Sequence, residues 1–276
     1  FELFARKLLA ARARFGRALP WYVLTSEAND AATRAFFERH AYFGLAPGDV
    51  FFMRQAMLPA LDDAGRILMA ARDALFLAPN GHGGVLAALA TSGALEHARA
   101  RGVELFSYWQ VDNPLARPAD TLFLGLHAHA GAEMSSKIVR KRDAAEKVGV
   151  LGRADGRLTC IEYSDLPAEL REARDARGEL VYGDGNIAVH ALDRAFVESL
   201  TERGFALPWH LARKRITALD EAGERREVDG WKFESFVFDA LALARNTSTL
   251  EVERSVEFSP VKNAEGLDSP RTARAD

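Results

Sequence analysis

An apolar, strand-like run from Leu105 to Val111 ends in Asp112, and an earlier apolar run ends in a glycine-rich turn. That turn reads Ala78-Pro79-Asn80-Gly81-His82-Gly83-Gly84, and a helix-like segment follows it. Open α/β sheets build nucleotide and metal sites from such parts, because the loops at the carboxyl ends of their strands meet in one crevice. The two features therefore favour an α/β fold that handles phosphates. Neither a Walker loop nor a G-x-G-x-x-G turn accompanies them.

Composition excludes several classes of protein. A chain of 276 residues, 48% of them hydrophobic, can bury a full core, and without repeats or linkers we expect a single domain over residues 1–276. The net charge of -3 gives no general attraction for nucleic acid or anionic membranes, and no apolar run is long enough to span a bilayer. Because Cys160 is the chain's one cysteine, we expect a buried, inert thiol in a cytoplasmic protein.

Hydrophobic periodicity predicts alternating helices and strands. We expect helices at 2–17, 30–40, 85–99, 118–130, 193–200 and 233–244, strands at 21–24, 50–53, 105–111, 134–141, 148–153, 158–163, 186–190 and 251–258, and an irregular tail at 263–276. Asp30 is the expected N-cap of the second helix, with Phe36 and Phe37 on its inner face. Asp155-Gly156 predicts a hairpin turn, and the basic run at 213–215 a solvated face. Together these elements predict a mainly parallel sheet with a mixed edge, flanked by helices.

The glycine turn and Asp112 each have a structural and a functional interpretation. Gly81, Gly83 and Gly84 let the backbone approach a flat or charged ligand, and the next helix offers free N–H donors. The same glycines also fit a plain turn with positive φ angles. His82 is either an exposed filler or a group that faces a base. Asp112 is either an Asx-turn former or a ligand of Mg²⁺ that is shared with substrate phosphates.

Four further residues are candidates for substrate contacts. Glu162, after the hairpin, is either an exposed strand-end carboxylate or an acceptor for sugar hydroxyls. Asn186 is either a turn former or a donor to a substrate amide or hydroxyl. Lys232 and Lys262 are either solvated lysines or counter-charges for phosphates. The seven histidines show no zinc-binding spacing, and there is no G-x-S-x-G motif to indicate a serine hydrolase.

Taken together, ordered segments of the chain closely resemble the eukaryotic-type UDP-sugar pyrophosphorylases, and within them the UDP-N-acetylglucosamine pyrophosphorylases. The segments run in order along nearly the whole chain. They are Trp21–Glu27, Phe51–Ala60, Ala78–Gly84, Val111–Asn113, Val148–Val150, Ile161–Ser164, Gly185–His190, Phe233–Asp239 and Glu257–Ala264. The resemblance implies a Rossmann-like, GT-A-like nucleotidyltransferase fold and the joining of UTP with a sugar 1-phosphate, which releases pyrophosphate.

The resemblance also assigns roles to single residues. It implies uracil contacts from Gln55, Pro79, Gly81, His82 and Gly83, sugar contacts from Gly149, Glu162 and Asn186, phosphate contacts from Lys262 and Lys232, and Mg²⁺ ligation by Asp112. A sugar-phosphate oxygen would attack the α-phosphorus of UTP in line, while the metal ion and lysines offset charge in the transition state. Such a reaction requires no protein nucleophile.

The chain departs from the family's pattern in two places. The family's first strand and its G-G-x-G-T-R-L-G loop, which surrounds the triphosphate, are not found in these residues. We therefore expect open strand edges, an open core and a native protein that extends upstream. In addition, acetylglucosamine enzymes typically have Asn where His82 stands, whereas Gly-His-Gly is typical of glucose enzymes. The segment Gly185–Ala188 favours the N-acetylated sugar.

The leading hypothesis is a Mg²⁺-dependent uridylyltransferase that makes UDP-N-acetylglucosamine and pyrophosphate from UTP and N-acetylglucosamine 1-phosphate. One alternative is the enzyme for glucose 1-phosphate. Another is a chain that binds UDP-sugar without turnover, because the triphosphate loop is missing. A dinucleotide-dependent dehydrogenase is more distant, since no G-x-G-x-x-G follows the first strand. The residues give no indication of oligomeric state.

Overall fold

Strands and helices follow one another along the chain in the computed structural model, which describes residues 1–202, 204, 207–220 and 222–275. The strands are β1 Trp21–Thr25, β2 Val50–Arg54, β3 Met57–Pro59, β4 Met69–Ala71, β5 Ala74–Leu75, β6 Leu77–Pro79, β7 Leu105–Tyr108, β8 Met134–Arg140, β9 Val150–Ala154, β10 Arg157–Ile161, β11 Asp184–Asp193, β12 His210–Leu219, β13 Arg225–Glu234 and β14 Thr247–Glu251. The α-helices are α1 Glu2–Phe15, α2 Asp30–Arg39, α3 Gly84–Thr91, α4 Ala94–Ala100, α5 Thr121–His129, α6 Ala168–Glu172, α7 Arg194–Glu202, α8 Arg254–Glu257 and α9 Pro270–Ala275. Short 3-10 helices span Ala41–Gly44, Pro47–Asp49 and Val237–Leu243.

Strand β11 lies at the centre of a six-stranded mixed sheet and pairs antiparallel with β7, β8 and β9. Beyond these neighbours, β10 pairs with β9, and β14 runs parallel to β8. The predicted α/β class, a mixed sheet flanked by helices, is confirmed. The expectation of a mainly parallel sheet is wrong, because β1–β2 and β8–β14 are the parallel pairs in the described part of the chain. Several strands follow one another through loops or hairpins, which permit antiparallel pairing without a crossover helix.

Helices cover both faces of the sheet because its strands alternate apolar side chains between the two sides. On one side, Met134 and Ile138 of β8 join a core with residues of α3, α4 and α7. On the other, Val139 of β8 and Val189 of β11 join a second core with residues of α1, α2 and α5. The sheet therefore holds two apolar layers in a fixed relation to its strand ends.

A smaller lobe of antiparallel hairpins lies beside the main sheet. It contains the pairs β3–β6, β4–β5 and β12–β13, and Leu61 bridges to Ile67 and Trp231 to join them. Its core consists of Ala60, Leu68, Ile216 and Ala218. The basic run at 213–215 lies exposed on β12, so the predicted solvated face is confirmed. The long β12–β13 hairpin that carries it was not predicted.

The helix after the glycine turn is shorter than its sequence pattern predicts. Gly93 adopts a φ of +80°, so the segment 85–99 divides into α3 and α4. In α2, Asp30 is the first helical residue and not the N-cap. Phe36 is exposed whereas Phe37 is buried, because adjacent residues of a helix point about 100° apart. None of the described helices has the length and apolar character that a membrane span requires.

The C-terminal third differs most from its predicted elements. Within 233–244, the first two residues end β13, and Val237–Leu243 forms a 3-10 helix. The predicted strand at 251–258 ends at its first residue, and α8 follows. The tail at 263–276 contains the short helix α9. Short apolar runs suit a strand and a buried helical turn equally, so spacing alone did not separate these possibilities.

Strands β1 and β7 each have one partner strand in the described part of the chain. Strand β1 pairs with β2, and β7 pairs with β11. Residues of both strands, including Tyr22, Leu24, Phe106 and Tyr108, line a cavity of about 900 Å³. The structure thus contains open strand edges beside an open core, as expected from the sequence.

The glycine turn is held against the segment that follows β13. Ser235 donates its backbone N–H and its hydroxyl to the carbonyl of Asn80, at 2.8 and 3.1 Å. In return, Gly83 donates its N–H to the carbonyl of Ser235 at 2.8 Å. Gly81 has a φ of +82°, and a Cβ at this position would collide with the backbone of Ser235. Glycine is therefore required here both by φ and by the close approach of two backbones.

We expect Gly81→Ala to lower the free energy of unfolding by about 3 kcal/mol, because strain at positive φ adds to overpacking. Gly65→Ala is the matched control, since Gly65 has a φ of +79° with nothing within 4 Å of an added Cβ. The control should cost about 1 kcal/mol. Urea unfolding followed by circular dichroism measures both variants. Equal losses would contradict the close approach at Ser235.

Candidate functional site

The candidate site extends from the glycine turn to Asp112. Two buried amide oxygens lie at the end beside the glycine turn. Gln55 follows β2, and its backbone N–H donates to the carbonyl of Thr25 at 2.9 Å. The N–H of Asn80 donates to the carbonyl of Ala56, the next residue, at 3.2 Å. Among the described residues, neither Oε1 of Gln55 nor Oδ1 of Asn80 has a hydrogen-bond partner, and both atoms are buried. Because an unpaired buried acceptor is costly, both oxygens are candidates to accept from a ligand.

His82 is held in the glycine turn as a neutral ring. Its Nδ1 accepts a hydrogen bond from the N–H of Val237 at 3.2 Å. The ring stacks on Phe236 at 5.0 Å between centroids, and Phe238 meets it edge-on at 5.6 Å. Burial lowers the pKa of His82 to about 4, and the nearby His210 acts in the same direction. The interpretation of His82 as an exposed filler is therefore wrong, since the ring packs into the wall of the site.

Gly149 precedes β9, Glu162 follows β10 and Asn186 lies within β11, and the fold brings the three together. The N–H of Asn186 donates to the carbonyl of Gly149 at 2.8 Å, and its side-chain amide donates to Sγ of Cys160 at 3.5 Å. A Cβ on Gly149 would lie 3.0 Å from Oε1 of Glu162 and 2.9 Å from the Cys160 sulfur. The glycine therefore leaves space for the Glu162 carboxylate. The three predicted sugar-site residues are neighbours, and their role stays a prediction.

His210 and Asp239 were not predicted, and both belong to this end of the site. Nε2 of His210 lies 3.0 Å from Oδ2 of Asp239. The His210 ring packs on Phe236, with 4.5 Å between centroids, and the same Asp239 oxygen accepts from the Phe236 N–H at 3.3 Å. No local motif marks His210, which begins an unpredicted hairpin. For Asp239 and the aromatic residues beside it, the matching segment 233–239 was the available signal.

Burial makes the carboxylates at this end reluctant to ionise. It raises the pKa of Glu162, and Asp165 and Asp239 add to the effect, while His210 and Lys262 oppose it. Burial also raises the pKa of Asp239, although its hydrogen bond with His210 opposes the shift. A site with raised carboxylate pKa values suits polar, uncharged groups better than phosphates.

Asp112 and Lys262 meet at the other end of the site. Asp112 lies beyond the end of β7 rather than directly at it, and its carbonyl accepts from the N–H of Val261 at 2.7 Å. Nζ of Lys262 lies 4.0 Å from Oδ2 of Asp112. Burial raises the pKa of Asp112, and the Lys262 charge opposes this shift. Asn113 makes an Asx-type bond, in which its Oδ1 accepts from the N–H of Leu115 at 3.3 Å, and backbone N–H groups of Asp112 and Asn113 also oppose the pKa shift of Asp112.

Mg²⁺ is compatible with this carboxylate only as an ion shared with substrate. Within the described residues, no group of three or more His, Cys, Asp or Glu side chains is arranged to hold a metal ion. Mg²⁺ is commonly held by one or two carboxylates together with waters and substrate phosphates. The Asp112 side chain keeps 27% of its surface exposed beside Lys262, so its oxygens can meet such an ion. The donor set therefore fits the predicted metal role, which stays a prediction.

Pro79 and Lys232 are less closely connected with the rest of the site. Pro79 ends β6, is exposed, and pairs with Met57 across the β3–β6 ladder. Lys232 lies on β13, with its ammonium 5.4 Å from the ring centroid of Phe76. In the part of the chain that the structure describes, no contact joins Lys232 to Asp112 or Lys262. The structure therefore brings Lys262, rather than Lys232, beside the candidate metal ligand.

Acid should destabilise this protein partly through two buried histidines. Burial lowers the pKa of His82 to about 4 and that of His190 to about 3, from an ordinary value of 6.5. Because these folded-state values lie below the unfolded ones, the unfolded chain takes up protons first as the pH falls. The stabilisation is complete above about pH 6.5 and is lost as the pH falls toward the folded-state values.

We expect His82→Asn to reduce this loss, because the Asn oxygen can accept the Val237 bond without binding a proton on unfolding. Between about pH 6 and 4.5, the free energy of unfolding should fall less steeply in the variant, by about 1 kcal/mol per pH unit. Urea titrations at several pH values measure the slopes. His129→Asn, at an exposed residue at the end of α5, is the control. A slope in His82→Asn equal to that of the wild type would contradict a buried, neutral His82.

Comparisons with known proteins agree with this fold. A family model described as UTP–glucose-1-phosphate uridylyltransferase matches residues 1–269. The UDP-N-acetylhexosamine pyrophosphorylase-like protein 1 of Homo sapiens is 40% identical over 263 residues, which cover 93% of this chain and 52% of that protein. The UDP-N-acetylglucosamine pyrophosphorylase of Saccharomyces cerevisiae is 37% identical over 266 residues, which cover 93% of this chain and 56% of that protein.

A solved structure is similar over nearly all of the chain. The uridine diphosphate N-acetylglucosamine pyrophosphorylase of Trypanosoma brucei, in complex with an inhibitor, has a TM-score of 0.87 and 32% identity. The similarity covers 99% of this chain and 57% of that one. The chain spans about half the length of the curated relatives that it matches. Since the family model matches the chain almost from end to end, the chain belongs to the UTP–glucose-1-phosphate uridylyltransferase family.

Proposed function

We propose that the protein is a uridylyltransferase that makes UDP-N-acetylglucosamine and pyrophosphate from UTP and N-acetylglucosamine 1-phosphate. The observation that carries the proposal is the position of Lys262 Nζ, 4.0 Å from the Asp112 carboxylate, in segments that are far apart in the sequence. A lysine beside a partly exposed carboxylate suits the transfer of a nucleotidyl group, which needs counter-charge more than covalent chemistry. The similar proteins of known name support the same reaction.

In the proposed reaction, an oxygen of the sugar 1-phosphate forms a bond to the α-phosphorus of UTP. The bond from that phosphorus to the oxygen leading to the β-phosphorus breaks, and pyrophosphate leaves with the electron pair. The Lys262 ammonium offsets negative charge on the phosphates, and Asp112 is the residue that would hold Mg²⁺. When bound, that ion would supply further positive charge at the phosphates. The unpaired oxygens of Gln55 and Asn80 are candidate acceptors for the single N–H of the uracil base, and positioning contributes much of the rate.

The protein supplies no nucleophile in this scheme. Burial raises the pKa of the Cys160 thiol, and the charge of Glu162 acts in the same direction. The thiol is buried, as predicted, and burial favours its protonated form, which is a poor nucleophile. Direct attack by substrate oxygen agrees with this arrangement.

The sugar preference rests on the end of the site that contains Glu162 and Asn186. The partly buried ring of Phe236 stacks beside His82 and provides apolar surface for an acetyl methyl group, whereas Phe238 is buried in the core. Asn186 and Glu162 offer an amide and a carboxylate to sugar hydroxyls and the acetamido group. The Gly-His-Gly turn supports the alternative substrate, glucose 1-phosphate. A chain that binds UDP-sugar without turnover is the other alternative, supported by the open cavity between β1 and β7.

We expect the protein at its native length to release sugar 1-phosphate from UDP-N-acetylglucosamine and pyrophosphate about tenfold or more faster than from UDP-glucose. Pyrophosphorolysis at equal enzyme concentration, measured as kcat/KM for each sugar nucleotide, tests the preference. The reverse order would replace the proposed substrate by glucose 1-phosphate. Binding of UDP-sugar without turnover of either nucleotide would overturn the proposed enzyme.

We also expect Asp112→Ala to lower kcat about a hundredfold or more, because charge at the transferring phosphate loses its support. The variant should remain folded, since burial already disfavours the ionised carboxylate at this position. Kinetics of pyrophosphorolysis and circular dichroism measure the two effects. Glu169→Ala, which removes an exposed carboxylate from α6, is the control and should keep full activity. Near-normal turnover in Asp112→Ala would remove Asp112 from the mechanism.

A further inference from the structure

A fully buried lysine lies behind the Asp112–Lys262 pair. Lys137, on β8, has none of its side chain exposed, and its ammonium donates to Oδ2 of Asp120 and to Oε2 of Glu257, at 2.5 Å each. The ring of Phe123 closes another side, with its centroid 5.4 Å from Nζ. Asp120 caps α5 by accepting from Leu122, and Glu257 ends α8. One lysine thus joins three elements of the fold.

The stability of the fold does not by itself account for this group. Desolvation of three charges costs several kcal/mol for each ion, and apolar residues of similar volume often stabilise a protein as well or better. Burial would raise the pKa of Asp120, but the hydrogen bond and charge of Lys137 hold that pKa below its ordinary value. Arg117 adds a second positive charge 4.0 Å from Glu257. Lys137 thus favours the ionised form of Asp120, and the short contacts constrain the geometry of the cluster, which suits a role in fixing positions.

A ladder of hydrogen bonds connects this cluster to the candidate site. The carbonyl of Glu257 accepts from the side-chain amide of Asn113 at 2.8 Å. The N–H of Ser259 donates to Oδ1 of the same Asn113 at 3.1 Å, and the N–H of Val261 donates to the carbonyl of Asp112 at 2.7 Å. These hydrogen bonds hold residues 112–113 against residues 257–261. The next residue along this second segment is Lys262.

We propose that Lys137 is a positioning residue, which acts through Glu257 and Asn113 to fix the separation of Asp112 and Lys262. Without its ammonium, two buried carboxylates face each other, and the segment that carries Lys262 loses its anchor on β8. Small displacements at a reacting centre reduce turnover strongly, about a hundredfold for 1 Å. The catalytic consequence rests on the proposed function, whereas the ordering of the two segments does not.

The test compares Lys137→Met with Arg194→Met in the protein at its native length. Arg194 is a suitable control because it is also largely buried and ion-paired, to Glu198 at 2.6 Å, but lies on α7 away from the ladder. In Lys137→Met, we expect amide hydrogen exchange in residues 111–116 and 257–263 to speed up about tenfold more than elsewhere. We expect kcat to fall about tenfold or more while KM for UDP-sugar stays within about twofold, because Gln55 and the glycine turn are untouched. In the Arg194→Met control, exchange in these two segments should not speed up more than elsewhere, and kcat should not fall relative to KM.

A double-mutant cycle with Asn113→Ala separates positioning from general destabilisation. If Lys137 acts through Asn113, the double variant loses little more activity than the worse single variant. Multiplied losses in kcat, or faster exchange spread evenly over the chain, would overturn the proposal. If Lys137→Met does not fold, both measurements are made on Glu257→Gln instead, because this variant keeps the shape of the cluster. If the wild type turns over no UDP-sugar, the proposed function fails, and the exchange pattern alone decides the positioning role.

Discussion

Strand β11 pairs with three other strands, and its register sets where the candidate residues lie. His190 pairs with Tyr108, the last residue of β7, so the segment that leads to Asp112 begins beside the middle of β11. Gly185 pairs with Val150, which places Gly149 beside Asn186. A bulge between Asn186 and His190 interrupts the ladder to β8 at this point. Bulges re-aim side chains next to functional sites, and this one begins at Asn186, a candidate site residue.

The two ends of the site differ in charge, and this difference gives a substrate one preferred direction. Burial raises the pKa values of the half-buried Glu162 and the buried Asp239, and the charge of Asp239 adds to the shift of Glu162. Phosphates would be repelled there, whereas hydroxyl and amide donors would be accepted. Lys262 lies beside Asp112, and its positive charge also opposes the pKa shift of Glu162. Under the proposed function, phosphates would lie nearest this charge beside Asp112.

The sequence was sufficient for the elements whose patterns are local. The Asp155-Gly156 turn, the buried strand Met134–Arg140 and the glycine turn at Gly81 each follow from residue chemistry at fixed positions. Patterns failed where packing decides between alternatives, as in 233–244, where a strand gives way to a 3-10 helix. The direction of the sheet also escaped prediction, because strand order depends on contacts between distant segments.

The same division holds for the candidate site. Asp112 and Lys262 were candidates from the local pattern, and Gln55 from the resemblance to a family, which also assigned the roles of all three. Each alone has an ordinary structural explanation. His210 and Asp239 were not predicted as site residues, because they are identified by a contact of 3.0 Å between two segments that share no motif. The role of Lys137 was not predicted for a related reason, since the sequence around a strand lysine does not identify the carboxylates that will contact it. Long-range partners, rather than residue types, decide these roles.

Several groups in the site are held in states that folding alone does not favour. Burial raises the pKa of Asp112 and lowers that of His82, and in each case the charged form is penalised. The buried oxygens of Gln55 and Asn80 are also left without partners in the described structure. Penalties of this kind persist only where other bonds fix the backbone, as the Ser235 bonds fix the glycine turn. A ligand that donates to those oxygens and brings positive charge to Asp112 would relieve these penalties on binding. The same groups would therefore bind a polar ligand of that charge more tightly than other ligands.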